Sequence, residues 1–310
     1  MIVLLLAVVL IGVLSTSGGM RGINVGGPRV ALIRVDGVIV AGESSISPLG
    51  GSATGSDDIV GQIERAVEDT DVRAILLRVN SPGGSAAGSQ EMYHAIQEAQ
   101  KRGKPVVVSM ADVAASGGYY ISAPAKQIWA DPATITGSIG VISMHEDFSE
   151  LLKKIGVKAE VMKAGKFKDM MSPFGPISPE VRQMMDQLLK ETHEQFIKAV
   201  ADGRREKGLT EAAVRKLADG RIYSGAQAKS NKLVDELGGM QEALAAAGRL
   251  GGIPGKPVTK EYQVPGLLRW LLGASSSRSQ VAVSGGLLYD DFAARLVRGS
   301  LPARAEPGTM

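Results

Sequence analysis

AILLRVNSPGGSAAGSQEMYHAIQEAQK, residues 74–101, is the stretch that decides the fold. Ala74 to Val79 is a short apolar run, of the length and composition of a buried strand. Asn80-Ser81-Pro82-Gly83-Gly84 ends it with turn residues. From Ala86 the spacing becomes helical, with Met92, Ile96 and Ala99 on one face up to Lys101. Strand, glycine turn and helix make one βα unit. The type recurs at once: Pro105 to Met110 (PVVVSM) reads as a strand, Ala114 to Gly118 as a small-residue turn, and Tyr119 to Pro124 as a short helix. Two such units in succession predict an α/β fold with a parallel sheet and right-handed crossovers.

Upstream, Arg29 to Val40 (RVALIRVDGVIV) is β-branched and apolar, a buried strand or hairpin. Ser44 to Ser56, rich in Gly and Ser, reads as a loop, and Asp57 to Asp69 carries Ile59, Ile63 and Val67 at helical spacing. Downstream, Gln127 to Ala130 and Ile139 to Met144 read as short strands around the turn Thr136-Gly137-Ser138. Phe148 to Ile155 reads as a helix leading into a strand over Val157 to Met162. Ser178-Pro179 is a helix start, with Ser as N-cap and Pro in the first turn. Val181, Met184, Met185, Leu188, Leu189 and Phe196 mark that helix's apolar stripe, which reads as packing. Ile222 to Gly239 and an Ala-rich helix complete the domain. The expected division is 1–26 for a targeting segment and linker, 27–250 for the folded domain and 251–310 for a tail.

Apolar residues make up 44% of the chain and aromatics only 4%, so the core must be built from Ala, Val, Ile, Leu and Met. A net charge of +3, from 35 basic and 32 acidic residues, gives no footprint for a nucleic acid. With no cysteine, disulfide frameworks, thiol nucleophiles and Cys metal sites are excluded; no metal and no cofactor is expected. Ile2 to Leu14 is an unbroken apolar run followed by small polar residues. At roughly 1.5 Å per residue it is short for a bilayer and lacks a preceding positive charge. Either as an anchor or as a cleaved signal, it directs the rest to the extracytoplasmic face of the membrane.

Ala114-Ala115-Ser116-Gly117-Gly118 sets a serine between a strand end and a helix start, flanked by residues small enough for a substrate to approach closely. That geometry suits a nucleophile, with the Gly117 amide as an oxyanion donor; a plain N-cap serine is the commoner use of such a turn. The first glycine turn belongs at the same carboxyl edge of the sheet, and Gly84 is the candidate second donor. Neither GxxxxGK[ST] nor GxGxxG is present, which argues against a nucleotide. The histidines are poor bases for Ser116: His94 and His193 lie in surface-patterned helices and His145 in a polar turn. A lysine can take that role if its surroundings favour the neutral amine. Lys163, Lys166 and Lys168 all lie in the right loop, with Lys168 best placed in Gly165-Lys166-Phe167-Lys168-Asp169-Met170-Met171. Physical reading alone leaves the three open.

The motifs NSPGGS, ASGGYYIS, TGSIGV, KFKDMMSP and YSGAQA…LVDELGG occur in the order seen in signal peptide peptidases of the SppA type, which the chain resembles from about Val30 to Gly239. The resemblance implies the Clp protease/crotonase fold, with repeated ββα units. It implies a serine endopeptidase with Ser116 as nucleophile, Lys168 as base, Ser138 orienting the lysine amine, and Gly84 and Gly117 as oxyanion donors. It further implies cleaved signal peptides and other short apolar peptides as substrates, and homo-oligomeric rings in which Ser and Lys come from adjoining protomers. Ala164-Gly165 stands where the family usually has Ser-Gly. The rival expectations are a crotonase-like acyl-CoA enzyme, whose enolate the same turns would suit, and a non-catalytic membrane scaffold.

Overall fold

Runs of buried aliphatic residues build the centre of the sheet. The computed structural model describes residues 27–46 and 52–262; the apolar segment Ile2 to Leu14 and the cluster around Trp270 lie outside the described residues. β1 (Arg29–Val40) and β4 (Val72–Gly84) pair in parallel over most of their length, and β5 (Val106–Ala115) pairs in parallel with β4. In β1, Val30, Ala31, Leu32 and Ile33 are all buried, so both faces of the strand are covered, as parallel sheets require. One face meets α1 (Ser56–Glu68), α2 (Ala86–Lys101), α3 (Gly117–Ser122) and the second half of α5 (Pro179–Arg204). They contribute Ile59, Ile63, Met92, Ile96, Tyr119 and Phe196 to a large apolar cluster.

The rest of the sheet is β2 (Ser45–Ile46), β3 (Ser52–Gly55), β6 (Gln127–Ala130), β7 (Ile135–Gly137), β8 (Ile222–Ser224), β9 (Glu236–Leu237) and β10 (Val258–Glu261). The strand order is β2-β3-β1-β4-β5-β6-β9, with β10 beside β1, β7 beside β5 and β8 beside β7. Only β2 with β3 and β7 with β8 are antiparallel among the described pairs. The short helices α4 (Ser149–Lys154), α6 (Glu211–Leu217) and α7 (Gly225–Ser230) precede α8 (Met240–Leu250). The second face of the sheet is sealed by α8, whose Ala243, Leu244 and Ala247 pack on Val30, Leu32, Ala74, Leu76 and Val107. A buried ion pair joins the end of α5 to the β6–β9 edge: Arg204, fully buried, donates to Asp235 at 2.6 Å, and Asp235 also accepts from the Ile128 amide.

The mixed α/β architecture with a mostly parallel sheet matches the expectation from residues 74–124. Four local expectations need correction. Ser44 to Ser56 is not all loop: β2 and β3 lie within it, because small residues let β3 run beside β1 and pair through backbone. Ile139 to Met144 and Val157 to Met162 are not strands; between Gly137 and Ile222 the chain runs outside the sheet. The stripe on α5 is split, with Val181 and Phe196 buried while Met184 and Leu188 are exposed. Past residue 250, Ile253 is buried and β10 pairs with β1, so the described sheet continues into the segment read as tail.

Candidate active site

β5 and β7 run in parallel register, with Ala115 opposite Gly137, so Ser116 and Ser138 follow as neighbours at one edge. Both have φ of 50°. Among the described residues just one other non-glycine, Lys232, has a positive φ. Such a conformation costs on the order of 1–3 kcal/mol and persists only where surrounding contacts enforce it. Here the Ser116 amide donates to Gly137 O at 2.9 Å, Ser116 O accepts from the Tyr120 amide at 2.8 Å, and the Ser138 amide donates to Arg221 O at 2.9 Å. The buried Thr136 hydroxyl adds a bond to Ala114 O at 2.6 Å. Ser116 therefore sits in a fixed, half-buried elbow at the start of α3.

The glycine turn after β4 packs straight onto this elbow. A Cβ on Gly83 would lie 2.6 Å from Gly117 N and 2.8 Å from Ser116 Cβ, and one on Gly117 would lie 3.3 Å from Gly84 N. No side chain fits between the turns. Gly84, at φ of 148°, is pressed on its other side against Ile39 O, which a Cβ would approach to 2.1 Å. Two backbone turns thus meet beside one hydroxyl, an arrangement suited to a developing oxyanion. Ser116, Ser138, Gly84 and Gly117, expected together, are brought together.

Lys168 is not joined to them within this chain. It lies in a turn on the segment 141–178, exposed, and its amine makes no hydrogen bond or ion pair among the described residues. The other two lysines left open by the sequence are occupied: Lys163 pairs with Asp169 at 2.5 Å and Lys166 with Glu180 at 2.6 Å. The Lys163 ammonium, by its hydrogen bond, holds the Asp169 carboxyl below its ordinary range. Of the three amines, Lys168 alone has no carboxylate partner among the described residues. The histidines stay out of the site: His145 Nε2 is 3.1 Å from Gly175 O, and His94 lies edge-on to Tyr93. Among the described residues no group of His, Asp and Glu could hold a metal ion. Sequence reasoning passed over Thr136 and Asp169; a hydroxyl one residue before the TGS glycine, and a carboxylate six residues after Lys163, were the available signals.

The profile of peptidase family S49 matches residues 98–253, half of the chain and the span that carries Ser116, Gly117, Ser138 and Lys168. This chain belongs to peptidase family S49. Among S49 relatives, Protease 4 of Haemophilus influenzae is 40% identical over 222 residues, covering 72% of this chain and 35% of that protein. A protein of Enterococcus faecium provisionally named signal peptide peptidase SppA is 38% identical over 217 residues, 70% of this chain and 62% of its own length. A Synechocystis protein with the provisional name of a protease is 36% identical over 244 residues, 78% of this chain and 87% of its own. The chain therefore spans about a third of the length of the Protease 4 it matches. No described helix is long and apolar enough to cross a membrane.

Proposed function

We propose that this protein is a serine endopeptidase that works through a Ser116–Lys168 dyad completed between protomers. The reading is carried by one observation: Ser116 is held in a strained elbow against the Gly83-Gly84 turn, while Lys168 is the loop lysine left without a carboxylate. In the proposed reaction the neutral Lys168 amine takes the Ser116 hydroxyl proton as Oγ bonds to the peptide carbonyl carbon. The amides of Gly84 and Gly117 receive the oxyanion. As the C–N bond breaks, Lys168 returns the proton to the leaving amine. Water then hydrolyses the acyl-enzyme by the same route, with Ser138 orienting the lysine.

The segment bearing Lys168 supports assembly. Ile142, Met144, Phe148, Leu151, Ile155, Val157, Val161, Met162 and Phe174 are all exposed, Met162 to 91%. So many large apolar side chains left exposed along one segment suit an interaction site, and a second copy of the chain, in a closed ring, would both cover them and bring an amine to Ser116. Substrates of this reading are cleaved signal peptides and other short apolar peptides, met at the extracytoplasmic face of the membrane to which the N-terminal segment directs the domain. The name of the Enterococcus relative favours the same class.

Ser116→Ala and Lys168→Ala each abolish peptide cleavage in this scheme. Mixed in equal amounts and allowed to exchange subunits, the two inactive variants regain roughly a quarter of the wild-type sites, those pairing an intact serine with a neighbour's intact lysine. Peptide turnover measured on the mixture checks this, and a mixture as dead as its parts would sink the shared dyad.

A further inference from the structure

We propose that Ser81 is a positioning residue for cleavage, its buried hydroxyl fixing the turn that presents the Gly84 amide to Ser116. The inference rests on Ser116 being the nucleophile and adds a residue to that site. Ser81 is fully buried at the place where the β4–β5 ladder ends. The ladder shifts register between Val79 and Ser81, and Asn80 fills the irregularity, its Oδ1 accepting from the Val113 amide at 3.3 Å. Ser81 then pairs with Ala114, two residues before Ser116.

From there Ser81 touches both turns. Its Oγ accepts the Gly83 amide at 3.1 Å, a side-chain-to-backbone link two residues ahead that stands in for a turn hydrogen bond. Its carbonyl oxygen would be 2.7 Å from a Cβ on Gly118, so it also sets how closely the Ser116 elbow can approach. The intervening glycines have φ of 103° and 148°, conformations with little intrinsic preference of their own. With the Gly83 N–H held toward Ser81, the next amide, that of Gly84, is the one left beside Gly117. Without the hydroxyl, the buried Gly83 N–H loses this bond, and a shift of the Pro82–Gly83 backbone to replace it re-aims Gly84.

A buried serine that only satisfied one amide would cost stability and leave chemistry untouched. A positioning residue acts on the tetrahedral state, and a peptide aldehyde, which forms a hemiacetal at the serine, measures that state directly. In the full-length assembled protein, Ser81→Ala is expected to lower kcat and aldehyde affinity together by about 10- to 100-fold. KM for a peptide stays within about two-fold, and Ser81→Thr, which keeps the hydroxyl, recovers most of the loss. Unchanged kcat and aldehyde affinity overturn the proposal, as does a loss of peptide binding equal to the loss of aldehyde binding. If Ser81→Ala does not fold, Ser81→Cys keeps the volume with a poor acceptor and is read in the same way. Wild type against Ser116→Ala separates the two levels. Should the aldehyde bind both equally, the nucleophile assignment falls and this inference with it; should it favour wild type while Ser81→Ala and Ser81→Cys lose nothing, only the inference falls.

Discussion

The carboxyl edge of the sheet and the segment 141–178 carry the two halves of one candidate site in opposite physical states. At the sheet edge, Ser116 is over-determined: strand register, two backbone hydrogen bonds and a glycine turn with no room for a Cβ all agree on one conformation. In the segment beyond Ile139, apolar side chains face solvent, the ion pairs are surface pairs, and the Lys168 amine has no partner among the described residues. The first region spends its burial inside the chain and arrives preorganised. The second leaves its apolar side chains exposed in the single chain, so that under the proposed dyad its environment has to come from a second copy. Substitutions in the two regions should therefore fail differently.

The largest contrast is between glycines. Gly83→Ala forces a Cβ to 2.6 Å from Gly117 N at a φ of 103° and must displace one turn from the other. We expect a loss of cleavage of about 10²–10³-fold, the scale for removing an oxyanion donor. Gly175→Ala, in the exposed segment with nothing within 4 Å of the new Cβ, should change turnover by less than about two-fold. Peptide hydrolysis by both variants at equal protein concentration makes the comparison, and a Gly83→Ala enzyme of normal activity would break it.

Next come apolar side chains. Ile75→Ala removes a core residue only 1% exposed and should cost about 2–5 kcal/mol of stability. The double substitution Ile155→Ser, Phe174→Ser removes residues 63% and 49% exposed, and should shift the unfolding of the dissociated chain by less than about 0.5 kcal/mol. The same pair should nonetheless reduce particle size in sedimentation and remove turnover with it. Full assembly in the double variant would show that this face covers nothing.

The same divide explains what the sequence disclosed. β1, β4, α2 and β5 were legible because each buries its own apolar pattern within the chain, so periodicity and burial agree. Ile139 to Met144 and Val157 to Met162 look equally apolar and read as strands; past the buried Ile139, the apolar side chains of Ile142, Met144, Val157, Val161 and Met162 are exposed in the single chain, and apolarity without an internal partner misleads a reading that assumes one core. The same assumption assigns Met184 and Met185 to packing, although Met184 is exposed. β3, built of Ser52, Ala53, Thr54 and Gly55, carries almost no pattern because it pairs by backbone and close approach. At the site, small residues flagged both turns, while the choice among three lysines needed either the family's motif order or knowledge of which amines already hold carboxylates. That second fact depends on Asp169 and Glu180 folding back onto Lys163 and Lys166, which no local pattern announces.

β10 gives the smallest effect and the cleanest titration. Val258-Thr259-Lys260-Glu261 is a polar edge strand with no apolar period, which is why the domain was expected to stop before it. Beyond the β1 ladder and an Arg34–Glu261 ion pair at 3.6 Å, it is held by Asp69, which accepts from Lys260 and, at 2.8 Å, from the Tyr262 hydroxyl. The Lys260 ammonium, by its hydrogen bond, is the main reason the Asp69 carboxyl is pulled down from 3.8 to about 2. A depressed carboxyl stabilises the form in which it is charged, so its contribution is complete above the ordinary carboxylate range and disappears as pH falls from about 4 through about 2. Asp69→Asn should remove that acid-sensitive step and loosen β10 at neutral pH by about 1 kcal/mol, since the pair is partly exposed to solvent. Hydrogen exchange at Val258 to Glu261 reads this directly, with Gly83 and Ser116 as the unchanged reference. If those four amides exchange no faster in Asp69→Asn at pH 7, β10 is held by its ladder and ion pair with β1, and the boundary of the folded unit is set without help from the Asp69 carboxylate.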